Sequence, residues 1–329
     1  ADLVPLRGEN RIYAREGLAQ LAKAERPGLK ALLDISGLGK GHALCGSDIA
    51  FKLGPRLNAG GRLADATMPL ELLLTSKFSE ALTMATELDS LNRERQAIER
   101  QMYDEAAAAL NGDTPEAIVV AGDDWHAGVV GIVAGRLARH YYRPSIVLCR
   151  DGELYRGSGR SIAEVDLQEV LHDCDPLLEE WGGHRMAVGL AVPAQNLQAF
   201  QAAFTARVGS CFAEALPEPS LQIDAWMQAD ELGSDLLAQL DKLRPFGMDN
   251  PEPVLGLKGA VLPRAPQVFA QRHLKFELTG QRGHRINGIA WGAADNPPPA
   301  GRELDLAIRF TWNVWNGRRT PRVELVSWR

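Results

Sequence analysis

The sequence predicts an α/β protein in parts: a helical lead-in, one long helix, a layered α/β domain and a small terminal β-barrel. Three observations predict this. Neither Gly nor Pro interrupts Phe78–Leu110, where Phe78, Ala81, Ala85, Leu88, Leu91, Ile98, Met102 and Ala106 recur near the helical period. Beyond Asn111-Gly112-Asp113, short apolar runs alternate with amphipathic stretches, the pattern of strands and helices stacked in layers. From Val254 onward, short strand-like runs are separated by Gly, Pro and Asn, the punctuation of a compact β unit.

In order, Asn10 is placed to cap a helix running to about Ala24, with Ile12, Leu18 and Leu21 on one face. Pro27-Gly28 breaks it, and a short helix covers Leu29–Leu33. Glycine and proline in Phe51–Leu63 argue against a regular element, leaving Arg56, Asn58 and Arg62 as donors on a loop or as solvated surface groups. Pro69 suits the first turn of a helix through Thr75. The long helix then connects two bodies, with Asn92-Arg93-Glu94-Arg95 as an exposed middle.

Ala117–Ala121, Ser145–Cys149 and Leu154–Arg160 are predicted strands; Gly128–Tyr141, Asp166–Asp173 and Asn196–Val208 are predicted helices. Pro217 and Pro219 mark a linker. A helix over about Asp230–Leu243 precedes strands at Val254–Val261, His273–Thr279, Arg285–Trp291, Leu304–Phe310 and Arg322–Trp328, for which an OB-fold is the leading candidate.

The 329 residues suggest two or three domains, and 45% hydrophobic with 24% charged residues is an ordinary globular composition. Cys45, Cys149, Cys174 and Cys211 lie apart, so neither a zinc site nor a disulfide framework is indicated, which fits a reducing, cytoplasmic setting. No apolar run approaches the ~18 residues of a membrane span, so no membrane association is expected. Net charge is −6, yet Ala260–Arg329 holds 11 Lys/Arg against 5 Asp/Glu, a +6 end on a chain otherwise at −12. Such asymmetry points to a polyanion partner. The chain opens on Ala1 and reads as a piece of something longer, expected to be monomeric.

Two glycine-rich stretches draw the chemistry together. Glu179–Gly189 contains Gly182-Gly183-His184-Arg185, and Arg156-Gly157-Ser158-Gly159-Arg160-Ser161 precedes it. Glycines let a backbone turn tightly and approach a ligand, while Ser158, Arg160 and Ser161 supply hydroxyl and guanidinium donors for a phosphate. Gly183, His184 and Arg185 could contact the same anion. His126 sits where a strand hands over to a helix, beside Asp123-Asp124, which could hold a metal or stay solvated. Near the C-terminus, Trp291, Trp312, Trp315 and Trp328 accompany Arg309, Arg318, Arg319 and Arg322, suiting either base stacking in a cationic groove or a barrel core.

These motifs together resemble one family. Gly182-Gly183-His184-x-x-Ala187-x-Gly189 resembles the signature of the DHH-associated domain. Trp125-His126-x-Gly128-Val129-Val130-Gly131-Ile132-Val133-Ala134 and Gly157-Ser158-x-Arg160-Ser161 resemble motifs of the RecJ single-strand-specific exonucleases, in the DHH phosphoesterase superfamily. So do Gly54-Pro55-Arg56-Leu57-Asn58-Ala59-x-Gly61-Arg62-Leu63 and Pro245-Phe246-Gly247-x-x-Asn250-Pro251-Glu252-Pro253, with Asp249 where the family usually has glycine.

The resemblance implies the end of a DHH α/β domain (1–76), a connecting helix (77–111), a DHH-associated domain (112–212) and an OB-fold domain (213–329). It implies 5′-to-3′ hydrolysis of single-stranded DNA with Mn2+ or Mg2+, in repair and recombination, with a single-strand-binding protein or a helicase as further partners. It makes Asp2 a catalytic metal ligand and His126 a catalytic-cleft residue. DNA contacts would come from Arg56, Asn58, Arg62, Ser158, Arg160, Ser161, Gly183, His184, Arg185, Trp312, Trp315 and Arg318. The chain has no Asp-His-His triplet, so most metal ligands of that family are missing from it. The alternatives are a non-catalytic single-strand-binding module and a DHH phosphodiesterase acting on short oligonucleotides.

Overall fold

The computed structural model describes residues 4–39, 43–212, 215–315 and 318–329. Its contacts divide the chain into two units. One comprises Arg26–Ser36 with Gly54–Ser220; the other comprises Ala1–Glu25, Gly37–Leu53 and Leu221–Arg329.

The lead-in helices are α1 (Gly8–Leu21), α2 (Pro27–Ile35), the single turn α3 (Gly46–Asp48), α4 (Gly54–Leu63), α5 (Thr67–Leu74) and α6 (Phe78–Ala109), with a π-helical turn at Ile49–Leu53 before α4. Asn10 does not cap α1. The helix begins earlier, at Gly8, and the Asn10 amide donates to the Pro5 carbonyl at 3.1 Å.

The segment read as irregular is largely α4. Pro55 stands where the π-helical turn Ile49–Leu53 hands over to α4. Gly60 is needed because a Cβ there would lie 2.8 Å from the Pro69 ring. A Cβ on Gly28 would lie 1.8 Å from the Leu72 carbonyl oxygen, so α2 and α5 meet backbone to backbone.

The 32 residues of α6 span roughly 48 Å. Its middle is exposed only in part: Arg93 and Glu94 face solvent as expected, but Asp89, Asn92 and Arg95 are buried. Helices α2, α4 and α5 pack along it, and its polar residues find partners, Arg95 with Glu99 at 2.9 Å and Asp89 with Arg56 at 2.9 Å.

The same unit continues as β1 (Ile118–Gly122), α7 (Val130–Tyr141), β2 (Ser145–Asp151), β3 (Leu154–Arg160), α8 (Leu167–Asp173), β4 (Glu180–His184), β5 (Ala187–Pro193) and α9 (Leu197–Gly209). The sheet order is β1-β2-β3-β5-β4, with β1 and β2 parallel and the other pairs antiparallel. One face packs Ile146, Leu148, Val188 and Leu190 against Leu167 and Leu171 of α8 and Phe200 and Phe204 of α9. The other packs Ile118, Val120 and Val147 against Val133 and Leu137 of α7 and Met102 and Ala106 of α6. The glycine stretch read as a turn is mostly strand: β4 and β5 form a hairpin whose turn is Arg185-Met186.

The second unit carries β6 (Ala225–Met227), α10 (Ser234–Asp241), β7 (Leu255–Val261), β8 (Gln267–Phe269), β9 (His273–Thr279), β10 (Arg285–Ala290), β11 (Glu303–Trp315) and β12 (Arg318–Trp328). The ladder runs β6-β7-β11-β12-β10-β9-β8. Its end strands are not hydrogen-bonded to each other, so it is not the closed barrel expected. Nevertheless Leu257 of β7, Leu274 and Phe276 of β9, Ile286 of β10 and Phe310 of β11 share one core with Leu232 and Leu237, so the sheet wraps around it.

Candidate anion-binding site

The first turn of α7 is where the expected donors gather. Gly131 lies over β3, and a Cβ on it would sit 3.2 Å from both Ser158 Oγ and Arg160 Nη2. A glycine is therefore what lets two polar side chains lie directly beneath the helix start. The opening N–H groups of a helix lack intrahelical acceptors and carry partial positive charge.

Just before the helix, His126 Nδ1 accepts from the Gly128 N–H at 3.1 Å, and Val129 N–H donates to the His126 carbonyl at 2.9 Å. This ties the entry loop into one shape. Arg62, at the C-terminal end of α4, donates to the Gly128 carbonyl at 2.9 Å. Gly128 is irreplaceable there, since a Cβ would stand 2.2 Å from the Arg62 carbonyl oxygen.

The charges are uncompensated. Arg160 donates to the carbonyl of Gly159 at 2.7 Å, and among the described residues neither Arg62 nor Arg160 has a carboxylate partner. Burial pushes the Arg160 guanidinium below its usual range, and the nearby positive charge of Arg62 pushes it further. Arg62 is lowered by the same two causes, loss of hydration first and then Arg95. Clustered cations that destabilise one another are stabilised by an anion.

Beside Ser158 the sheet is bare. Ser158 pairs with Gly189, and Gly189 pairs with Gly182. Registered neighbours face the same way, so this row offers one hydroxyl and then only backbone. A Cβ on Gly182 would meet nothing within 4 Å. The next row is Arg160, Ala187 and His184, which places the exposed His184 two strands, roughly 10 Å, from Arg160.

Other expected residues stand elsewhere or are already engaged. Ser161 donates its hydroxyl to the Val165 carbonyl at 2.8 Å, and Arg185 donates to the Ala163 carbonyl at 2.6 Å. Gly183, at φ +142°, has its carbonyl held by Gln168 at 2.9 Å. Arg56 is paired with Asp89, whereas Asn58 is exposed. Asp123 accepts from the Tyr155 hydroxyl at 2.6 Å. Asp2 lies outside the described residues. Among those described, no group of three or more His, Cys, Asp or Glu is placed to hold a metal.

Comparison with known proteins decides the relationship. Residues 114–210 match the DHHA1 domain model and residues 223–327 match the RecJ OB domain model. Over 331 residues, 99% of the chain, it is 35% identical to the single-stranded-DNA-specific exonuclease RecJ of Bacillus subtilis. The chain is a RecJ homologue.

The same enzyme of Salmonella typhimurium is 34% identical over 98% of the chain. The crystal structure of RecJ in complex with Mg2+ from Thermus thermophilus superposes with a TM-score of 0.86 at 32% identity, covering 100% of this chain and 50% of that one. The complex with Mn2+ also gives 0.86, covering 48% of that chain. This RecJ-like chain thus spans about half the length of the relatives it matches, 42% of the Bacillus protein and 58% of the Salmonella protein. The expected succession of a DHH-associated α/β domain and an OB domain is what the matches and the fold show.

Within the RecJ OB domain, Trp312 is partly buried against the core, and its indole N–H donates to Asp241 at 2.9 Å. Arg318 is exposed, and the Trp315 side chain lies outside the described residues. Sequence reasoning singled out the stretch from Gly182 to Gly189 as a turn that approaches a ligand, but not Gly182 and Gly189 as a cross-strand pair, and it quoted Gly131 only within a motif. Their signal was spacing: Gly182 and Gly189 become cross-strand neighbours only when a hairpin turns between them. Among the described residues no helix is long and apolar enough to cross a membrane.

Proposed function

We propose that this chain is the strand-holding part of a RecJ-type, single-strand-specific 5′-to-3′ exonuclease, in which Ser158 and Arg160 receive the 5′-terminal phosphate. The observation that carries the reading is the placement of both side chains beneath the first turn of α7, 3.2 Å from where a Gly131 Cβ would be, beside an Arg62 that also has no carboxylate partner among the described residues. A terminal phosphate carries about −1.5 to −2 charge, more than an internal diester. A pocket of guanidinium, hydroxyl and helix N–H donors therefore prefers a strand's end to its middle. Arg62, Asn58 and His184 flank the next phosphates, and His126 fixes the entry loop.

The proposed hydrolysis by the whole protein uses Mn2+ or Mg2+, with Asp2 among the ligands. The described residues do not themselves fit a metal centre. Two bound divalent ions would supply an activated water and stabilise the leaving oxygen; this chain's own residues bind and orient the strand. Alone, the chain acts as a metal-independent single-strand-binding module.

The test is binding of 5′-phosphorylated and 5′-hydroxyl single strands by the chain and by Arg160→Ala. The chain prefers the phosphorylated strand, and Arg160→Ala loses that preference. Equal affinity of the unaltered chain for both strands overturns the assignment. A chain extended to the length of its relatives degrades 5′-phosphorylated single strands with manganese; inertness, or equal attack on duplex, defeats the exonuclease reading.

A further inference from the structure

We propose that Trp125 and Glu105 are positioning residues for the 5′-phosphate site, forming a brace from α6 that sets where the entry loop of α7 presents its N–H groups. The brace acts only through the terminal-phosphate site proposed above and so rests on that reading. Neither residue touches the phosphate itself.

The entry loop leaves β1 and ends where α7 begins. Gly122 closes β1, and a Cβ on it would stand 2.4 Å from the Trp125 ring, so the indole covers the end of the strand. From there the indole N–H donates to Glu105 Oε2 at 2.7 Å, a partner 20 positions back on α6. Gln101, one helical turn earlier, donates to Glu105 Oε1 at 2.9 Å, so both carboxylate oxygens are engaged and the carboxylate is held in one direction. These two donors, Trp125 first, keep the Glu105 carboxyl below the usual carboxylate range. Asp123 accepts from the Tyr155 hydroxyl at 2.6 Å, which ties the loop to β3 as well as to α6.

The loop in turn decides which backbone donors stay open. The Gly128 and Val129 N–H groups are used within it, on His126 Nδ1 and on the His126 carbonyl. The Ile132 and Val133 N–H groups donate to the Val129 carbonyl. Between them, the Val130 and Gly131 N–H groups have no acceptor among the described residues. Gly131 is also the residue whose Cβ would stand 3.2 Å from Ser158 Oγ and Arg160 Nη2, so an open amide lies over those two donors. His126 follows Trp125 directly and takes both of the N–H groups used in the loop, so pinning the indole fixes which amides remain for a ligand. Hydrogen bonds weaken steeply with angle, and a site of this kind loses selectivity when its support shifts. A terminal phosphate carries more charge than an internal diester and gains more from aligned amides. The brace therefore acts on the preference for a 5′ phosphate and leaves single-strand binding as a whole intact.

The experiment measures, by fluorescence anisotropy, the affinity of the chain for 5′-phosphorylated and 5′-hydroxyl single strands of one sequence, and reads the ratio of the two. Glu105→Ala and Trp125→Phe each lower that ratio about fivefold, while affinity for the 5′-hydroxyl strand stays within about twofold. The double variant lowers it no further, since both changes remove the same hydrogen bond. Glu105→Gln keeps an acceptor for the indole and with it most of the ratio. Asp104→Ala makes the same charge change at the neighbouring exposed position and keeps all of it. The brace is overturned, with the phosphate site left standing, if Glu105→Ala and Trp125→Phe keep the ratio, weaken both strands alike or add in the double variant. Asp104→Ala lowering the ratio as much as Glu105→Ala overturns it too. If the unaltered chain shows no preference for the phosphorylated strand, the phosphate site fails first, and the brace with it. Should Trp125→Phe melt early, the contrast between Glu105→Ala and Glu105→Gln at an exposed carboxylate still decides: equal loss in both overturns the brace.

Discussion

Two pairs of arginines lie in the same unit and do opposite things. Arg56 and Arg95 each hold a carboxylate, Asp89 and Glu99, both at 2.9 Å. Among the described residues, Arg62 and Arg160 hold only backbone carbonyls. The first pair neutralises the buried face of α6 and belongs to the fold. In the proposed reading the second keeps its charge for a ligand; burial first, and then a neighbouring guanidinium, disfavours the charged form of each. Residue type is the same in all four, and only the partner distinguishes structural from ligand-ready charge.

Asp89→Ala tests the structural pair most severely. It removes the carboxylate that Arg56, whose side chain is only 18% exposed, and Arg93 both hold, and costs about 3 kcal/mol, read by urea denaturation. Retained stability would mean that Arg56 is hydrated and belongs with the second pair. Next comes Gly128→Ala, where the new Cβ meets the Arg62 carbonyl. It costs about 1–3 kcal/mol in thermal unfolding and weakens single-strand binding as Arg62 is displaced.

Arg62→Gln leaves stability within about 0.5 kcal/mol but lowers the log–log salt slope of single-strand binding by about 0.7, one phosphate contact. Arg56→Gln does the reverse, and a matching slope change in both variants would erase the distinction. The smallest effect concerns Glu252, which lies 3.9 Å from Arg244 and 3.8 Å from Arg309. Burial raises its carboxyl above the usual range despite both arginines. With the folded value raised, its stabilising contribution is full below the ordinary glutamate range of about 4.3 and is lost as pH rises through the folded value. Stability of Glu252→Gln, followed by melting from mildly acidic to neutral pH, lacks that decline.

Much of this arrangement was legible in the sequence. The bounds of β3 and β9 coincide with the predicted strands, β9 through its alternation of Leu274, Phe276 and Leu278, and the start of α6 follows from its uninterrupted period. The family motifs led to Ser158 and Arg160, which the fold brings together under α7. Local punctuation misled where tertiary contact reversed its meaning. Gly60 sits inside α4 because the Pro69 ring needs the room, and Gly182 and Gly183 lie in a strand because β5 pairs with it. Likewise the polar middle of α6 looks solvated until Arg56 and Glu99 are in place. No periodicity reports that a charge will be answered by a residue 33 positions away, as Asp89 is by Arg56.

The row Ser158–Gly189–Gly182 carries a further consequence. Past the serine hydroxyl, a polymer lying along it meets peptide planes and no side chain that could compare one base edge with another. Contacts of that kind are indifferent to the order of monomers. Under the proposed reading, a protein that holds a strand's end whatever its sequence requires that indifference, and here leaving side chains out would supply it.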